Sequence, residues 1–179
     1  MNDEANARHE EEAIIAMLMM RAKALGDKNA EEVLSHETED SVEFSLAPPL
    51  ASNGKDAAGL QGWFDTWEGP IGGEVRDAKL TVGEGVAFWS GLMHMTGTKI
   101  DGSEVDLWFR QTLGLVKQDG RWLVAHLHAS VPFAMDGGGR ALLDLNRELR
   151  YQAAFSATFR RPARMPMIPT PIKSRIAVA

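Results

Sequence analysis

Apolar and polar residues follow a helical period near the start of the chain. Ile14, Leu18, Ala22 and Leu25 recur at steps of four, four and three, which predicts an amphipathic helix. Gly26 directly after the last of them is typical of a helix end. We expect this helix to pack one face against the rest of the fold.

Three shorter elements are predicted next. The run "DKNAEEVLSHE" predicts a short helix capped by Asp27 or Asn29. In "DSVEFSLAPPL", Val42, Phe44 and Leu46 alternate on one face, as in a strand, until two prolines interrupt the pattern. A third helix is predicted in "SNGKDAAGLQGWFDTW", where an apolar face recurs at helical spacing: Leu60, Trp63, Phe64 and Trp67.

From residue 71 the period changes to two. Glycine-containing turns punctuate the segment, and "DG" at 101–102 and at 119–120 is a strong hairpin signal. Helices followed by an antiparallel meander make an α+β order, with the helices packed on one face of a curved sheet. The strands are predicted at 74–83, 86–98, 103–117 and 122–132.

The C-terminal part has a different composition. The string "ALLDLNREL" at 141–149 predicts one more short helix, and four prolines beyond it exclude a helix or a central strand. We therefore expect a domain over 1–146 and a proline-rich segment over 147–179. Two interpretations of this segment stay open, a disordered tail and an ordered arm that contacts a neighbouring subunit.

Composition and charge narrow the function classes. The 179 residues carry a formal net charge of −6 without a basic stripe, which argues against a nucleic-acid partner. There is no cysteine, so disulfides, thiolate nucleophiles and zinc–thiolate sites are excluded. The N-terminus is acidic and polar, unlike a secretory signal, and no apolar run reaches the roughly 18 residues of a membrane span. We expect a soluble cytoplasmic protein without membrane contact.

Four strings resemble a known superfamily: "VAFWSGL", "DLWFRQTLGLVKQDGRW", "HLHASVPF" and "ALLDL". In this order of elements they resemble SnoaL-like, ketosteroid-isomerase-homologue proteins of bacteria, within the nuclear transport factor two-like superfamily. The resemblance covers about residues 8 to 146. It implies a cystatin-like α+β cone, a curved antiparallel sheet wrapped around three helices. It also implies an apolar cavity on the concave face and a dimer interface on the other face.

The catalytic residues of ketosteroid isomerases do not carry over. The resemblance places the general base directly after a Val–Glu pair on the first strand, where this chain has Phe44. The oxyanion hole of that family uses a tyrosine of the first helix, whereas the single tyrosine here, Tyr151, lies outside the matched region. Glu43 is a carboxylate, but strand alternation points it away from Phe44. Steroid-type isomerisation by that mechanism is not expected.

Polar residues of the predicted sheet form the candidate catalytic set. His126 and His128 share one face of the last strand, and imidazoles transfer protons near neutral pH. Arg110 is a candidate for holding the polar end of a substrate, and Asp106 shares its face. The alternative is structural, with the histidines and the two charged residues in backbone hydrogen bonds, salt bridges or a dimer interface.

The candidate ligand-binding set is mostly aromatic, as expected for the wall of a pocket that takes a planar ligand. Core packing is the alternative for these residues. The two histidines have no third ligand nearby in sequence, so no metal site is expected, and no cofactor is implied. The set comprises Trp63, Trp67, Trp108, Phe44 and His94.

The register of the last hairpin decides which candidates meet. A two-residue turn at Asp119–Gly120 pairs positions whose numbers sum to 239, which puts His126 and His128 on the face opposite Arg110. A three-residue loop or a bulge shifts the sum to 238 and sets Arg110 opposite His128. The "DG" sequence favours the two-residue turn.

Two function classes follow. The first is a pocket for a hydrophobic small molecule, a carbonyl or polyketide-like compound, which is isomerised, cyclised or hydrated there. The second is a non-catalytic ligand-binding or association domain that forms a homodimer or a higher homo-oligomer through the sheet face. The missing base at Phe44 favours the second class. The face that carries His126, His128 and Arg110 discriminates between them.

Overall fold

The computed structural model describes residues 2–145, with side chains from residue 5 onward. It contains three helices, α1 (Asn2–Gly26), α2 (Ala30–Ser35) and α3 (Ala57–Phe64). The α+β class predicted from the sequence is confirmed. Six strands form one sheet: β1 (Glu37–Phe44), β2 (Ser52–Asn53), β3 (Trp67–Val82), β4 (Val86–Lys99), β5 (Glu104–Gln118) and β6 (Arg121–Ser130).

The chain divides into two units, Met1–Glu148 and Leu149–Ala179. The second unit lies outside the described residues, as does the proline-rich segment predicted over 147–179. The helix predicted over 141–149 is not present in its described part, because residues 141–145 are not helical. Its remaining residues lie outside the described part of the chain.

The strands are arranged in the order β2-β1-β6-β5-β4-β3. The meander β3-β4-β5-β6 is antiparallel throughout, and β1 adds to its far edge parallel to β6. The predicted meander is therefore present, and the first strand closes onto the last.

Side-chain caps explain where the two short helices begin. Asn29 Oδ1 accepts a hydrogen bond from the Glu32 amide at 3.1 Å, and Asp56 Oδ1 accepts one from the Gly59 amide at 2.8 Å. Of the two predicted caps, Asn29 is the one that caps α2.

The third helix ends earlier than its aromatic spacing predicts. Phe64 is its last residue, and Trp67 is instead the first residue of β3, which begins well before the predicted position 74. The Thr66 hydroxyl donates to the Trp63 carbonyl at 2.7 Å and closes the helix. Trp67 still faces the helices, so the helical spacing continued by coincidence across the boundary.

The β5–β6 turn has the predicted two residues. Asp119 and Gly120 both have positive φ, at 49° and 78°, and Gln118 pairs with Arg121 on either side. These angles suit a type I′ turn, for which Asp-Gly is a preferred sequence. The register sum near the turn is therefore 239, as predicted.

A β-bulge on β6 changes the register beyond the turn. Leu115 pairs with Val124, but Gly114 pairs with His126, which leaves Ala125 as an extra residue in β6. The sum becomes 240 rather than the 239 or 238 that the sequence suggested. Arg110 consequently lies opposite Ser130, and the prediction that the histidine row and the Arg110 row occupy opposite faces is wrong.

Helices cover one face of the sheet, here called the helix side. Ile14 and Met17 of α1 pack in one core cluster with Trp89, Leu113 and Leu127 of three central strands. Residues that alternate with these on each strand point to the opposite face, here called the outer face.

A second core cluster joins the C-terminal end of α1 to the other helices. It combines Ala24 of α1, Val33 of α2 and Phe64 of α3 with Trp67 and Ile71 of β3. The two clusters together fix the three helices on the helix side.

The buried face of α1 differs by one position from the predicted stripe. Ala22 is exposed, whereas Arg21 lies between buried Met17 and Ala24 on the face toward the sheet. The helix thus brings a charged side chain to the helix side, where the sequence pattern indicated alanine.

Candidate functional site

All four residues of the predicted catalytic set lie on the outer face. Thr112 pairs with His128 and Arg110 pairs with Ser130, so the histidine row and the Arg110 row share that face. Asp106 belongs to the same row of β5. The structure brings these residues to one surface, but that surface is not the one that the helices cover. Their catalytic roles stay predictions.

Phe44, the last residue of β1, packs beside the histidine row of β6. Its ring meets His126 edge-on with 5.0 Å between centroids and His128 with 5.8 Å. The contact follows from the parallel register, in which Phe44 pairs with His128. Phe44 therefore contributes an aromatic group to the outer face.

His94 and Trp108 form a second aromatic group on the same face. Their rings are stacked at 4.5 Å with an interplanar angle of 2°. His94 Nε2 lies 2.6 Å from Asp106 Oδ1, which fixes the imidazole over the indole. Register explains the assembly, because His94 pairs with Trp108 and Asp106 sits two residues before Trp108.

Trp63 and Trp67 lie on the helix side, where the side chain of Lys99 occupies the space over their rings. Their rings meet at 73° with centroids 5.4 Å apart, and Lys99 Nζ lies 3.7 Å from the Trp67 centroid. The same ammonium donates to Thr66 Oγ1 at 2.8 Å. Burial lowers the pKa of Lys99. These tryptophans form a cation–π contact with the chain itself.

A buried ion pair links α1 to β1 on the helix side. Arg21 Nη2 donates to Glu37 Oε1 at 2.6 Å, and the side chains are 11% and 10% exposed. Ser41 Oγ makes a longer contact of 3.4 Å with Glu37 Oε2. Arg21 Nε has no hydrogen-bond partner among the described residues.

Glu43, near the other end of β1, interacts electrostatically with both members of this pair. It pairs with Leu127, a buried core residue of the helix side, whereas its neighbour Phe44 points outward. Burial raises the pKa of Glu43, Glu37 raises it further, and Arg21 opposes both. More than a third of the Glu43 surface remains open to solvent, so the desolvation is partial.

Glu43 stands at the end of an apolar row that crosses the sheet. Register aligns it with Leu127, Leu113, Trp89 and Leu80 on four successive strands. A partly desolvated carboxylate beside an apolar surface is the arrangement that suits proton transfer to and from a carbon acid.

Gly91 makes room for the large ring of this row. A Cβ atom on Gly91 would approach Trp89 Cη2 to 2.8 Å, so the indole extends over the glycine backbone. A side chain at position 91 would therefore collide with the indole of this row.

Sequence reasoning assigned no role to Glu43. The available signal was parity, because a residue adjacent to Phe44 must face the other side of the strand. The bulge at Ala125 decides which residues of β6 face the helices, and the sequence did not predict that bulge.

The described part of the chain holds neither a cluster of metal-ligating side chains nor a membrane-spanning helix. Between residues 2 and 145, no three His, Asp or Glu side chains are grouped so that they could hold a metal ion. No helix in that part is long and apolar enough to cross a membrane.

Comparisons place the chain among known sequences. The SnoaL-like domain family matches residues 14–134. No curated protein matches the chain.

Solved structures share the fold. An NTF2-like protein of unknown function from Pseudomonas putida KT2440 is 24% identical, with a TM-score of 0.70, and 78% of this chain covers 97% of it. A putative scytalone dehydratase from Novosphingobium aromaticivorans DSM 12444 is 21% identical, with a TM-score of 0.64, and coverage is 82% and 99%. The association domain of C. elegans CaMKII is 15% identical, with a TM-score of 0.55, and coverage is 69% and 97%.

Proposed function

We propose that this chain, which belongs to the SnoaL-like domain family, binds a hydrophobic carbonyl compound on the helix side of its sheet and moves a proton with Glu43. One observation carries the proposal. Glu43 is a carboxylate with a raised pKa at the end of the apolar row formed by Leu127, Leu113, Trp89 and Leu80.

The chemistry follows from the surroundings of the carboxylate. A carboxylate that loses part of its hydration becomes a stronger base toward a C–H bond adjacent to a carbonyl. Glu43 takes that proton, the electron pair moves onto the carbonyl oxygen, and return of the proton to a different carbon completes an isomerisation. Loss of hydroxide from the same enolate gives a dehydration.

Arg21 and Glu37 adjust the basicity of Glu43 in opposite directions. Glu37 raises the Glu43 pKa and Arg21 lowers it. Since a general base is most effective when its pKa lies near the working pH, this ion pair acts as a positioning and tuning group behind Glu43. The fold neighbour described as a putative scytalone dehydratase makes dehydration a natural reaction class to test first.

A base assay that needs no natural substrate tests the proposal. In 5-nitrobenzisoxazole a base removes the C3 proton while the N–O bond breaks, which releases the coloured 2-cyano-4-nitrophenolate and leaves the proton on the base. We expect Glu43→Gln to lower kcat/KM for this reaction about 100-fold or more. Asp40→Asn, an exposed carboxylate of the same strand, is the matched control and should retain the rate. Equal rates for Glu43→Gln and the wild-type protein would refute the role of Glu43.

A second function, self-association, is supported by the outer face. Among residues 2–145 no helix covers that face, and Phe44, which packs beside the histidine row, is 39% exposed. We infer that His126, His128 and Arg110 contact a second copy of the chain rather than a substrate. One fold neighbour is named as an association domain, which makes self-association a function worth testing here. The two functions use opposite faces and are compatible.

Phe44→Glu tests self-association. A glutamate beside the histidine row should lower the association constant measured by sedimentation equilibrium at least tenfold, because it would bury a charge between subunits. Phe133→Glu is the control, since Phe133 is exposed beyond the end of β6. An unchanged mass for Phe44→Glu would exclude the outer face as the contact.

A further inference from the structure

Helix α1 is apolar on two sides along part of its length. Residues 13–20 read "AIIAMLMM", eight apolar residues without interruption. Ile14 and Met17 are buried against the sheet. A helix segment that is apolar all round is typical of one that is covered on both sides. Residues 2–145 of the same chain leave the second side open. Three residues there form what we call the α1 patch: Ile15 (50% exposed), Met19 (68%) and Met20 (53%).

Charged residues flank the α1 patch along the same face of the helix. Glu12 lies one turn before the patch and Lys23 lies one turn after it, and both are exposed. Arg8 lies a further turn toward the N-terminus and is exposed as well. Asp27 lies a further turn toward the C-terminus, where its amide still donates to the Lys23 carbonyl at 2.9 Å, as within the helix. Since residues four apart share a helix face, each end of the patch carries one positive and one negative charge.

This order of charges is self-complementary when two copies of the helix run antiparallel. From the N-terminal end the face is positive, negative, apolar, positive and negative, so the reversed helix presents the opposite sign at each charged position. In the register that achieves this, facing positions have numbers that sum to 35. Arg8 then lies opposite Asp27 of the second copy, and Glu12 lies opposite its Lys23.

The same register aligns the apolar residues. Ile15 faces Met20 of the second copy, and Met19 faces Ala16, which is small and exposed. How closely two helices approach depends on the size of the side chains at their contact, and a methionine adapts its shape to the space left there. The charge order and the apolar spacing are separate properties of the helix. Both select the same partner, a second copy of this chain.

We propose that the α1 patch binds the α1 patch of a second copy of the chain, with the two helices antiparallel and Glu12 of each copy beside Lys23 of the other. Burial of apolar surface on both copies stabilises the contact, and the charged ends fix its direction. In a parallel arrangement like charges would face each other at both ends, which is destabilising. The patch lies on the side of α1 that faces away from the sheet, so this contact is distinct from self-association through the outer face.

Cross-linking of introduced cysteines on the full chain tests this contact. Because the chain has no cysteine, Glu12→Cys and Lys23→Cys each provide a single thiol. The two variants are mixed, with one of them isotope-labelled, and treated with a short bismaleimide, and mass spectrometry then identifies the linked products. In the proposed register the two copies of position 12 lie about 16 Å apart along the helix axis, beyond the reach of a short linker. We therefore expect the mixed product, which links positions 12 and 23, to exceed either product of two identical chains about tenfold or more.

A second pair of positions on the same helix is the matched control. Glu11 and Ala22 are exposed, and each lies about 100° around the helix from the neighbouring position used in the test. A mixture of Glu11→Cys and Ala22→Cys chains should therefore give little linked product under the same conditions.

Substitution of Met19 in both cysteine variants separates the outcomes. Met19 is exposed, so neither substitution disturbs the core. Met19→Glu should remove the mixed product, because it would bury a charge on each copy, whereas Met19→Leu should retain it. A mixed product that survives Met19→Glu, that is no more abundant than the control product, or that is matched by the products of identical chains would overturn the proposal. The cross-link reports the α1 contact alone, so its result is independent of the Phe44→Glu test of the outer face.

Discussion

Arg21 and Glu37 form a buried ion pair between α1 and β1, with 2.6 Å between Arg21 Nη2 and Glu37 Oε1. The pair lies on the helix side, and both of its members act electrostatically on Glu43. It joins the packing of the first helix to the electrostatics of the candidate site. Removing either charged side chain therefore changes both the packing of α1 and the electrostatic environment of Glu43.

Arg21→Met should destabilise the domain strongly. The substitution leaves Glu37 buried without its cation, and breaking one side of a buried ion pair costs about 3–5 kcal/mol. Chemical denaturation at pH 7 measures the change. The double variant Arg21→Met/Glu37→Leu removes both charges and should recover most of the lost stability. If the single variant is as stable as the wild-type protein, the ion pair does not hold α1 on the sheet.

Glu43→Gln should stabilise the protein at neutral pH. The folded-state pKa of Glu43 is raised above the ordinary value of 4.5, so the folded protein favours the protonated carboxyl. The stability that protonation contributes is present below pH 4.5 and is lost as the pH rises through the raised pKa. Glutamine is neutral at every pH and avoids that loss. Because Glu43 is partly exposed, we expect a modest gain.

Denaturation at two pH values checks this prediction. The Glu43→Gln variant should exceed the wild-type protein in unfolding free energy at pH 7.5, and the difference should vanish at pH 3.5. Asp40→Asn, on the same strand, controls for the general effect of removing a carboxylate. A variant that is less stable than wild type at pH 7.5 would contradict the raised pKa.

His36 should make the protein less stable in mild acid. Burial lowers the pKa of this imidazole below its ordinary value of 6.5, and the residue is 6% exposed. A lowered folded-state pKa means that the contributed stability is present above pH 6.5 and is lost as the pH falls toward the folded-state pKa. His36→Gln, which does not titrate, should flatten the stability profile between pH 7.5 and pH 5.5. His9→Gln, at an exposed position of α1, should keep the wild-type slope.

Deletion of Ala125 should leave the domain folded. Ala125 is the extra residue of the bulge, so its removal brings His126 directly after Val124. Both histidines then stay on the outer face and Leu127 still points toward the helices. We expect the melting midpoint measured by circular dichroism to fall little more than it does on deletion of Gly138, in the exposed loop after β6. Loss of the cooperative transition in the Ala125 deletion variant would contradict the bulge.

The elements of the fold were predictable because local rules set them. The period of two along β3 to β6, the Asp119–Gly120 turn and the caps of the short helices all depend on neighbouring residues. The end of α3 was harder to predict from the sequence. The aromatic spacing from Trp63 to Trp67 is helical, although β3 begins at Trp67.

The candidate site was not predictable to the same degree, because one residue decided its orientation. The bulge at Ala125 has no local signal in "RWLVAHLHAS", so the sequence did not predict it. The sequence placed His126, His128 and Arg110 on the sheet, and the structure puts them on the face that the helices do not cover. The sequence indicated of Glu43 only that it is a carboxylate pointing away from Phe44, and gave it no role.

The bulge also determines how sequences of this kind can be aligned with one another. A relative that lacks the extra residue at 125 must carry a gap there, and an alignment without that gap matches each inward position of β6 with an outward one in every column that follows. Column statistics for His126, Leu127 and His128 would then mix surface-exposed with core residues, and the apparent variability of this strand would reflect parity rather than selection.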